Sequence, residues 1–256
     1  PAEPGTRLLL GKLAEYLKHD DLALSWYRSV PRGPAYAEAI SRSAGLLDRL
    51  GKTEQGLALL HAQQQDQNAN ADAQRASYQL EAQLQVDHKH FDAALLAYAH
   101  GLAAFDADPD LLYGRALLLE QMDRITESEA DLRGSLEIDP DNAEVLNALG
   151  YTLADRTKRY SEAQRYIEHA LILQPDTPAF LDSLGWVQHR LGHDAEAVRN
   201  LRRAFALQKV AEIAAHLGEE LGLDGATDSA RPIWTQVQAP VTANAQPDRS
   251  DHNHQA

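Results

Sequence analysis

Apolar and small residues recur about every 34 residues along this chain, most clearly between Pro109 and Gln238. Three copies share one phrase, in which a leucine precedes a glycine. These pairs are Leu149-Gly150, Leu184-Gly185 and Leu217-Gly218. An alanine follows each pair, at Ala163, Ala197 and Ala230. The spacing predicts an all-α chain built from repeated pairs of helices, an A helix and a B helix joined by a turn.

The same register divides the whole chain into about seven repeats. Residues 1–108 hold three degenerate repeats, at 4–36, 37–74 and 75–108, and the second ends in a polar spacer from Gln63 to Gln74. Residues 109–238 hold four repeats, at 109–142, 143–177, 178–210 and 211–238. Pro140 and Pro175 are expected to close B helices, and Asp or Asn then caps the next A helix. Residues 239–256 lack apolar periodicity, which predicts a disordered tail.

Small residues are expected where helices A and B of one repeat approach closely. We assign this structural role to Gly150, Ala163, Ala170, Gly185, Ala197, Ala204, Gly218 and Ala230. Larger residues such as Leu149, Ile167 and Leu184 would fill the space between neighbouring repeats. Because one repeat cannot bury its apolar face alone, stability should come mostly from the interfaces.

The period and the small-residue pair resemble those of a tetratricopeptide repeat (TPR) array. The resemblance implies a right-handed superhelix, an α-solenoid, with a concave wall made mainly by the A helices. It also implies a binding surface rather than an enzyme. The wall positions give a candidate partner-binding groove, formed by Tyr113, Leu117, Asn147, Tyr151, Asp182, Trp186, His189 and Arg190.

Aromatic residues on a partly polar concave surface are frequent anchors of binding energy. The alternative is that these aromatics only cover the gaps between adjacent A helices. The TPR clamp for chaperone tails needs Lys or Arg at positions 5 and 9 of helix A, counted from the first residue of each repeat. That clamp is absent here. The acidic, aromatic groove favours instead a segment with basic and apolar side chains.

The formal net charge is −14, with 24 Lys and Arg against 38 Asp and Glu. Nucleic-acid binders need concentrated basic surface, so this balance argues against a nucleic-acid partner. The chain has no cysteine, which excludes disulfides and thiolate chemistry. No apolar run approaches the roughly 20 residues that span a bilayer. Because the chain begins at Pro1, we expect a processed or excised piece, with any signal peptide or lipid-attachment segment upstream.

No motif for catalysis, a metal or a cofactor stands out. His88-Lys89-His90 is expected in a solvated A–B turn rather than in a metal site. His189, His193, Asp182 and Asp194 could form an acid–base site, but His193 and Asp194 are expected in a turn away from the groove. A basic cluster on turns and B helices, such as Arg159 and Arg203, is expected on the convex side. It is either a solvated face or a second docking surface, for a protein or an anionic envelope polymer.

Two stretches, from Asp139 to Thr157 and from Phe180 to Gly192, resemble the C-terminal half of proteobacterial outer-membrane TPR lipoproteins of the LbcA type. The resemblance implies an adaptor for the periplasmic carboxyl-terminal processing protease and for murein hydrolase substrates. It also implies a periplasmic, outer-membrane location through a lipid anchor upstream of this chain. Two alternatives remain: an assembly factor for pili, secretion or outer-membrane biogenesis, and the regulatory arm of a larger enzyme. Packing through the end repeats would allow a homo-oligomer.

Overall fold

A computed structural model describes residues 3–223 of the chain, and all regular structure in that range is helical. The all-α prediction is therefore confirmed over this range. The thirteen helices found there alternate as A and B helices. They are α1 Pro4–Tyr16, α2 Asp20–Arg28, α3 Tyr36–Arg49, α4 Thr53–Gln64, α5 Ala71–Asp87, α6 Phe91–Ala104, α7 Pro109–Gln121, α8 Ile125–Ile138, α9 Ala143–Arg156, α10 Tyr160–Leu173, α11 Pro178–Arg190, α12 Asp194–Leu207 and α13 Ala211–Leu223.

Three residues join the two helices of each pair, and five of these turns have a residue with positive φ at their centre. In the turn after α11, Gly192 has a φ of 77°. The amide of Gly192 donates to the carbonyl of His189, and that of His193 donates to the carbonyl of Gln188. This paired bonding is the Schellman motif, which satisfies carbonyl groups that the helix end would leave without donors. The turn therefore closes the helix and reverses the chain.

Asp and Asn side chains begin several of the A helices. The carboxylate of Asp108 accepts from the amides of Asp110 and Leu111 at the start of α7. The side chain of Asn142 accepts from the amide of Val145, 3.2 Å away, at the start of α9. These contacts satisfy donors that the first helical turn cannot bond internally.

The polar spacer differs from its predicted course, because its last residues belong to a helix. Helix α4 ends at Gln64 and α5 begins at Ala71, where the side chain of Asn70 accepts from the amide of Ala73. The Gln74 side chain then donates back to the carbonyls of Gln64 and Asp66. Capping by Asn70 thus starts the third A helix earlier than the repeat period indicates.

The chain divides into two compact units, Pro1–Val145 and Leu146–Ala256, each with its own packing. In the first unit, one core cluster contains Leu8, Tyr27 and Leu46. In the second, a cluster contains Leu181, Leu201 and Leu217. The predicted division at residue 108 separates repeats by how well they match the pattern, and it stays a prediction.

Two glycines in the second compact unit lie where no side chain would fit. A Cβ added at Gly150 would lie 2.5 Å from Cγ1 of Ile167 and 2.9 Å from the carbonyl oxygen of Ala163. A Cβ at Gly185 would lie 2.5 Å from Cγ of Leu201. Ala163, Ala170, Ala197 and Ala204 are fully buried, and Gly218 is buried. Ala230 and the tail from 239 to 256 lie outside the described residues.

Candidate protein-binding surface

Trp186 on α11 is at the centre of a group of side chains in the second compact unit. Its indole ring stacks on the imidazole of His216 from α13, with centroids 5.0 Å apart and planes at 22°. The ring of His189 approaches the same indole at 5.7 Å. Trp186 remains half-buried, so part of its surface faces solvent. We call Trp186, His189, Arg190, Tyr160, Asp182 and His216 the Trp186 cluster.

Asp182 is located below this aromatic layer rather than on its surface. Its side chain is 8% exposed, and its Oδ2 accepts a hydrogen bond from Nδ1 of His216, 2.9 Å away. A carboxylate oxygen can only accept, which assigns a proton to Nδ1. The sequence places Asp182 in the candidate groove, and in the structure His216 of the next repeat covers its carboxylate. Asp182 therefore positions His216, and through it the face of Trp186.

Arg190 provides the cation of the cluster and is exposed at the end of α11. Its guanidinium carbon lies 5.2 Å from the ring centroid of Tyr160 and 5.5 Å from that of Trp186. One terminal nitrogen donates to the Tyr160 hydroxyl at 2.7 Å. Two cation–π contacts and one hydrogen bond thus fix the orientation of this side chain.

Asn147 and Tyr151 lie four residues apart on α9 and are both half-buried. Within the described residues, Oδ1 of Asn147, Oδ1 of Asp182 and Nε1 of Trp186 are buried atoms that have no hydrogen-bond partner. Buried polar atoms are normally paired with protein groups or with ordered water, so these three atoms can form a hydrogen bond with water or a partner. They lie at the helix A positions that the sequence assigns to the groove.

Tyr113 and Leu117 belong to the first compact unit, so the continuity of the groove stays a prediction. Tyr113 is half-buried, and burial together with the charge of Glu144 raises the pKa of its hydroxyl above the usual value. Leu117 is 45% exposed, which makes it available to a partner. Both residues therefore present contact area on the first compact unit.

His88 makes more contacts than a solvated turn predicts. Its Nε2 lies 2.7 Å from Oδ1 of Asp48, which comes from the preceding A helix. Burial alone would raise the pKa of Asp48, but hydrogen bonds from His88 and Thr53 outweigh burial and hold it below the usual value. Over residues 3–223, no group of three or more His, Cys, Asp or Glu side chains could hold a metal ion. His88 thus links neighbouring repeats through its contact with Asp48.

The residues proposed for an acid–base site are only partly together. His193 lies in the turn between α11 and α12, and Asp194 is the first residue of α12. Nδ1 of His189 lies 3.9 Å from the carboxylate of Asp194. Asp182 bonds His216 instead.

In the part of the chain that the structure describes, no helix is both long and apolar enough to cross a membrane.

With this geometry established, comparison with known proteins identifies the repeats. The family model of the tetratricopeptide repeat matches residues 109–142 and 143–177. This chain contains TPR repeats over residues 109–177. TPR arrays generally act as protein-interaction scaffolds, on the extended concave surfaces that stacked repeats create. That use is non-catalytic.

Two relatives are similar to this chain in sequence, and one solved structure is similar to it in fold. The TPR repeat-containing protein PA4667 of Pseudomonas aeruginosa is 40% identical over 210 residues, or 82% of this chain and 35% of its own length. Bacteriophage adsorption protein A of Escherichia coli is 34% identical over 77 residues, or 30% of this chain and 8% of its own length. A TPR protein of Parabacteroides merdae has a TM-score of 0.66 at 15% identity and covers 91% of both chains. The present chain thus spans about a third of its Pseudomonas relative.

Sequence reasoning missed two members of the Trp186 cluster, His216 and Tyr160. His216 follows Asp182 by 34 residues, one repeat length, so the period could have paired them. Tyr160 precedes Arg190 by 30 residues and begins the B helix of the preceding repeat. No spacing rule for helix A alone would have found it.

Proposed function

We propose that this TPR chain is a non-catalytic adaptor of the bacterial envelope. It would bind a periplasmic carboxyl-terminal processing protease, the murein hydrolases that the protease cleaves, or both. The observation that carries the binding role is the Trp186 cluster. It combines a half-buried tryptophan, an exposed arginine and a tyrosine on one face.

The composition and order of this cluster support a binding role. Trp, Tyr and Arg are the residues most enriched among those that dominate interface energies. Here they hold one another in place, so little conformational freedom is left to lose on binding. The remaining exposed area of Trp186 gives a partner an apolar contact beside a cation.

The envelope part of the proposal rests on sequence. The stretches from Asp139 to Thr157 and from Phe180 to Gly192 resemble outer-membrane TPR lipoproteins of the LbcA type. A further relative is named for bacteriophage adsorption, an event at the cell surface. The proposed location is the periplasmic side of the outer membrane, through a lipid anchor upstream of the present chain. A homo-oligomer is compatible with this arrangement.

The experiment is a capture from bacterial envelope extract on the immobilised chain, compared with a Tyr151→Ala/Trp186→Ala double variant. We expect the wild-type chain to recover the processing protease or a murein hydrolase, and the double variant to lose at least about 90% of it, since anchor residues often contribute 2 kcal/mol or more. Tyr16→Ala is the matched control, because Tyr16 is 81% exposed on α1, far along the chain from the cluster. Circular dichroism checks that each variant is folded.

Other results would redirect the proposal. Recovery that the double variant leaves unchanged would keep the adaptor and exclude the Trp186 cluster as its contact. Recovery of a secretin or pilus component in place of the protease would favour the assembly-factor alternative. A catalytic domain in the same reading frame would instead make this array a regulatory arm.

A further inference from the structure

Arg190 differs from several other arginines of the chain in what surrounds it. Arg115 binds the Asp131 carboxylate through two nitrogens, and Arg203 contacts the carboxylate of Asp176. Arg190 contacts no carboxylate among the described residues, although the chain has an excess of 14 negative charges. Its contacts are the rings of Tyr160 and Trp186 and one hydroxyl. Among the described residues, this cation is therefore held by two rings and a hydroxyl group rather than by a carboxylate.

We propose that Arg190 is the binding residue for a carboxylate of the protein partner, supplied by an Asp or Glu side chain that neighbours an apolar residue. This rests on the proposed scaffold function and specifies the chemistry of its partner. It also revises the expectation of a basic partner segment at this point of the groove. That expectation relied partly on Asp182, whose carboxylate is buried and bonded to His216.

The geometry of the guanidinium explains the choice of ligand. The guanidinium carbon lies 5.2 Å from the ring centroid of Tyr160 and 5.5 Å from that of Trp186, and its N–H groups lie in the plane of the group, where they can donate hydrogen bonds. One N–H is used by the Tyr160 hydroxyl. The others can bind a carboxylate in the plane of the group, which is the strongest arrangement for such a pair. Because the rings already order the side chain, binding costs less conformational entropy than at a free arginine.

The neighbouring surface explains the apolar residue. Trp186 contacts Arg190 on one side and keeps exposed area of its own. A side chain adjacent to the bound carboxylate would cover that area and remove apolar surface from water. The salt link would also become drier and stronger as a result.

The position of α11 favours a side-chain carboxylate over the end of a chain. Helix α11 packs against α10 on one side and α13 on the other. In the described part of the second compact unit, α11 thus has a helix on either side, so a bound segment need not end at Arg190. Counted from Pro178, Arg190 is residue 13 of its repeat. The second cation of the chaperone-tail clamp would be residue 9, four residues earlier. The proposed subsite thus differs from that clamp in position and in having one arginine.

The test uses nuclear magnetic resonance on the described chain and three small probes. The first is acetyl-phenylalanyl-glutamate amide, which carries a side-chain carboxylate. The second is acetyl-phenylalanyl-glutamine with a free terminal carboxylate, and the third is its amide, which has none. The readouts are the indole N–H of Trp186 and the Nε–H of Arg190, assigned with Trp186→Phe and Arg190→Lys. We expect the glutamate probe to shift both signals most and the uncharged probe to shift them least.

Variants separate binding from positioning. We expect Arg190→Gln to weaken the glutamate probe about tenfold, the size of one charge-assisted hydrogen bond. Tyr160→Phe keeps the ring but removes the hydroxyl contact, so it should weaken the probe less. Arg203→Gln, an exposed arginine already paired with Asp176, is the control and should change nothing. Circular dichroism checks that each variant is folded. Because Arg190 is exposed, its replacement should not affect folding.

Equal shifts with the glutamate and uncharged probes, or unchanged binding by Arg190→Gln, would overturn the carboxylate site. Tighter binding of the free-terminus probe would overturn the choice of a side-chain carboxylate. These outcomes do not depend on the protease or hydrolase. If the probes bind as expected while envelope capture fails, only the proposed function is contradicted. If capture succeeds while the probes fail to bind, only the carboxylate site at Arg190 is contradicted.

Discussion

Nδ1 of His216 lies 2.9 Å from Oδ2 of Asp182, one repeat earlier in the chain. Asp182, the fifth residue of its repeat, is therefore covered by His216, the sixth residue of the next repeat. The pair fixes the imidazole against the face of Trp186 and removes the carboxylate from the surface. A contact between repeats thus sets the chemistry that the surface presents.

His216→Ala should lower the free energy of unfolding by roughly 1–3 kcal/mol, because it leaves the buried Asp182 carboxylate without its donor. Urea denaturation measures the change. His216→Phe, which keeps a ring beside Trp186 but offers no donor, should lose most of the same stability. The control is His193→Ala, since His193 is exposed in a turn and its side chain makes no capping hydrogen bond. Equal effects at 216 and 193 would contradict the role of the Asp182 contact.

Gly185→Val should destabilise the chain by roughly 1–3 kcal/mol, since overpacking forces neighbours out of position. The added atoms would meet Leu201 at 2.5 Å, and Ala197 limits movement on the same side. Gly134→Ala is the matched control. It is also helical, and its nearest neighbour would be Leu112 at 3.5 Å, an ordinary contact. Thermal unfolding should show a lower Tm for the first variant and an unchanged or higher Tm for the second.

Glu15→Gln should destabilise the chain by about 1–2 kcal/mol at neutral pH, a value reduced because its arginine partners are partly exposed. Burial opposes ionisation of Glu15, but hydrogen bonds from Tyr27 and Arg49 outweigh it, so the pKa is lowered. A lowered pKa in the folded state stabilises above the usual carboxyl range, and this contribution is lost as pH falls through the folded value.

The difference between wild type and Glu15→Gln should therefore be constant near neutral pH and shrink in acid, below the usual carboxyl pKa of about 4.3. Urea denaturation across that pH range measures it. Glu54→Gln serves as the control, because Glu54 is exposed in the first turn of α4. A difference that grows in acid would show that the sign is wrong.

Asp131→Ala should lower stability by about 2–4 kcal/mol, as removal of one partner from a largely buried ion pair usually does. Asp131 is 10% exposed and accepts two hydrogen bonds from Arg115, at 2.7 and 2.8 Å. The pair joins α7 to α8. A double-mutant cycle with Arg115→Ala should give a favourable coupling energy. The exposed pair of Arg124 and Glu127 is the comparison and should show no measurable coupling.

Several features of the fold could be predicted from sequence because they depend on near neighbours. The period of about 34 residues predicts helix pairs, and the helices of the described range are paired in that way. Asn142 was expected to cap a helix and does so at α9. The start of α5 was not predicted, since the spacer before it breaks the period and only the Asn70 cap defines its first turn.

The sequence by itself determined the helical class, the register of the small residues and the presence of aromatic residues on the A helices. These follow from periodicity, since residues at a fixed position in a repeat occupy equivalent environments. Tertiary structure alone decided which polar groups remain available. Asp182 is buried because His216 arrives from the next repeat, and Arg190 is ordered because Tyr160 arrives from the preceding one. The physical reason is that charge and exposure depend on neighbours brought together by packing, and a repeat pattern specifies positions but not these partners.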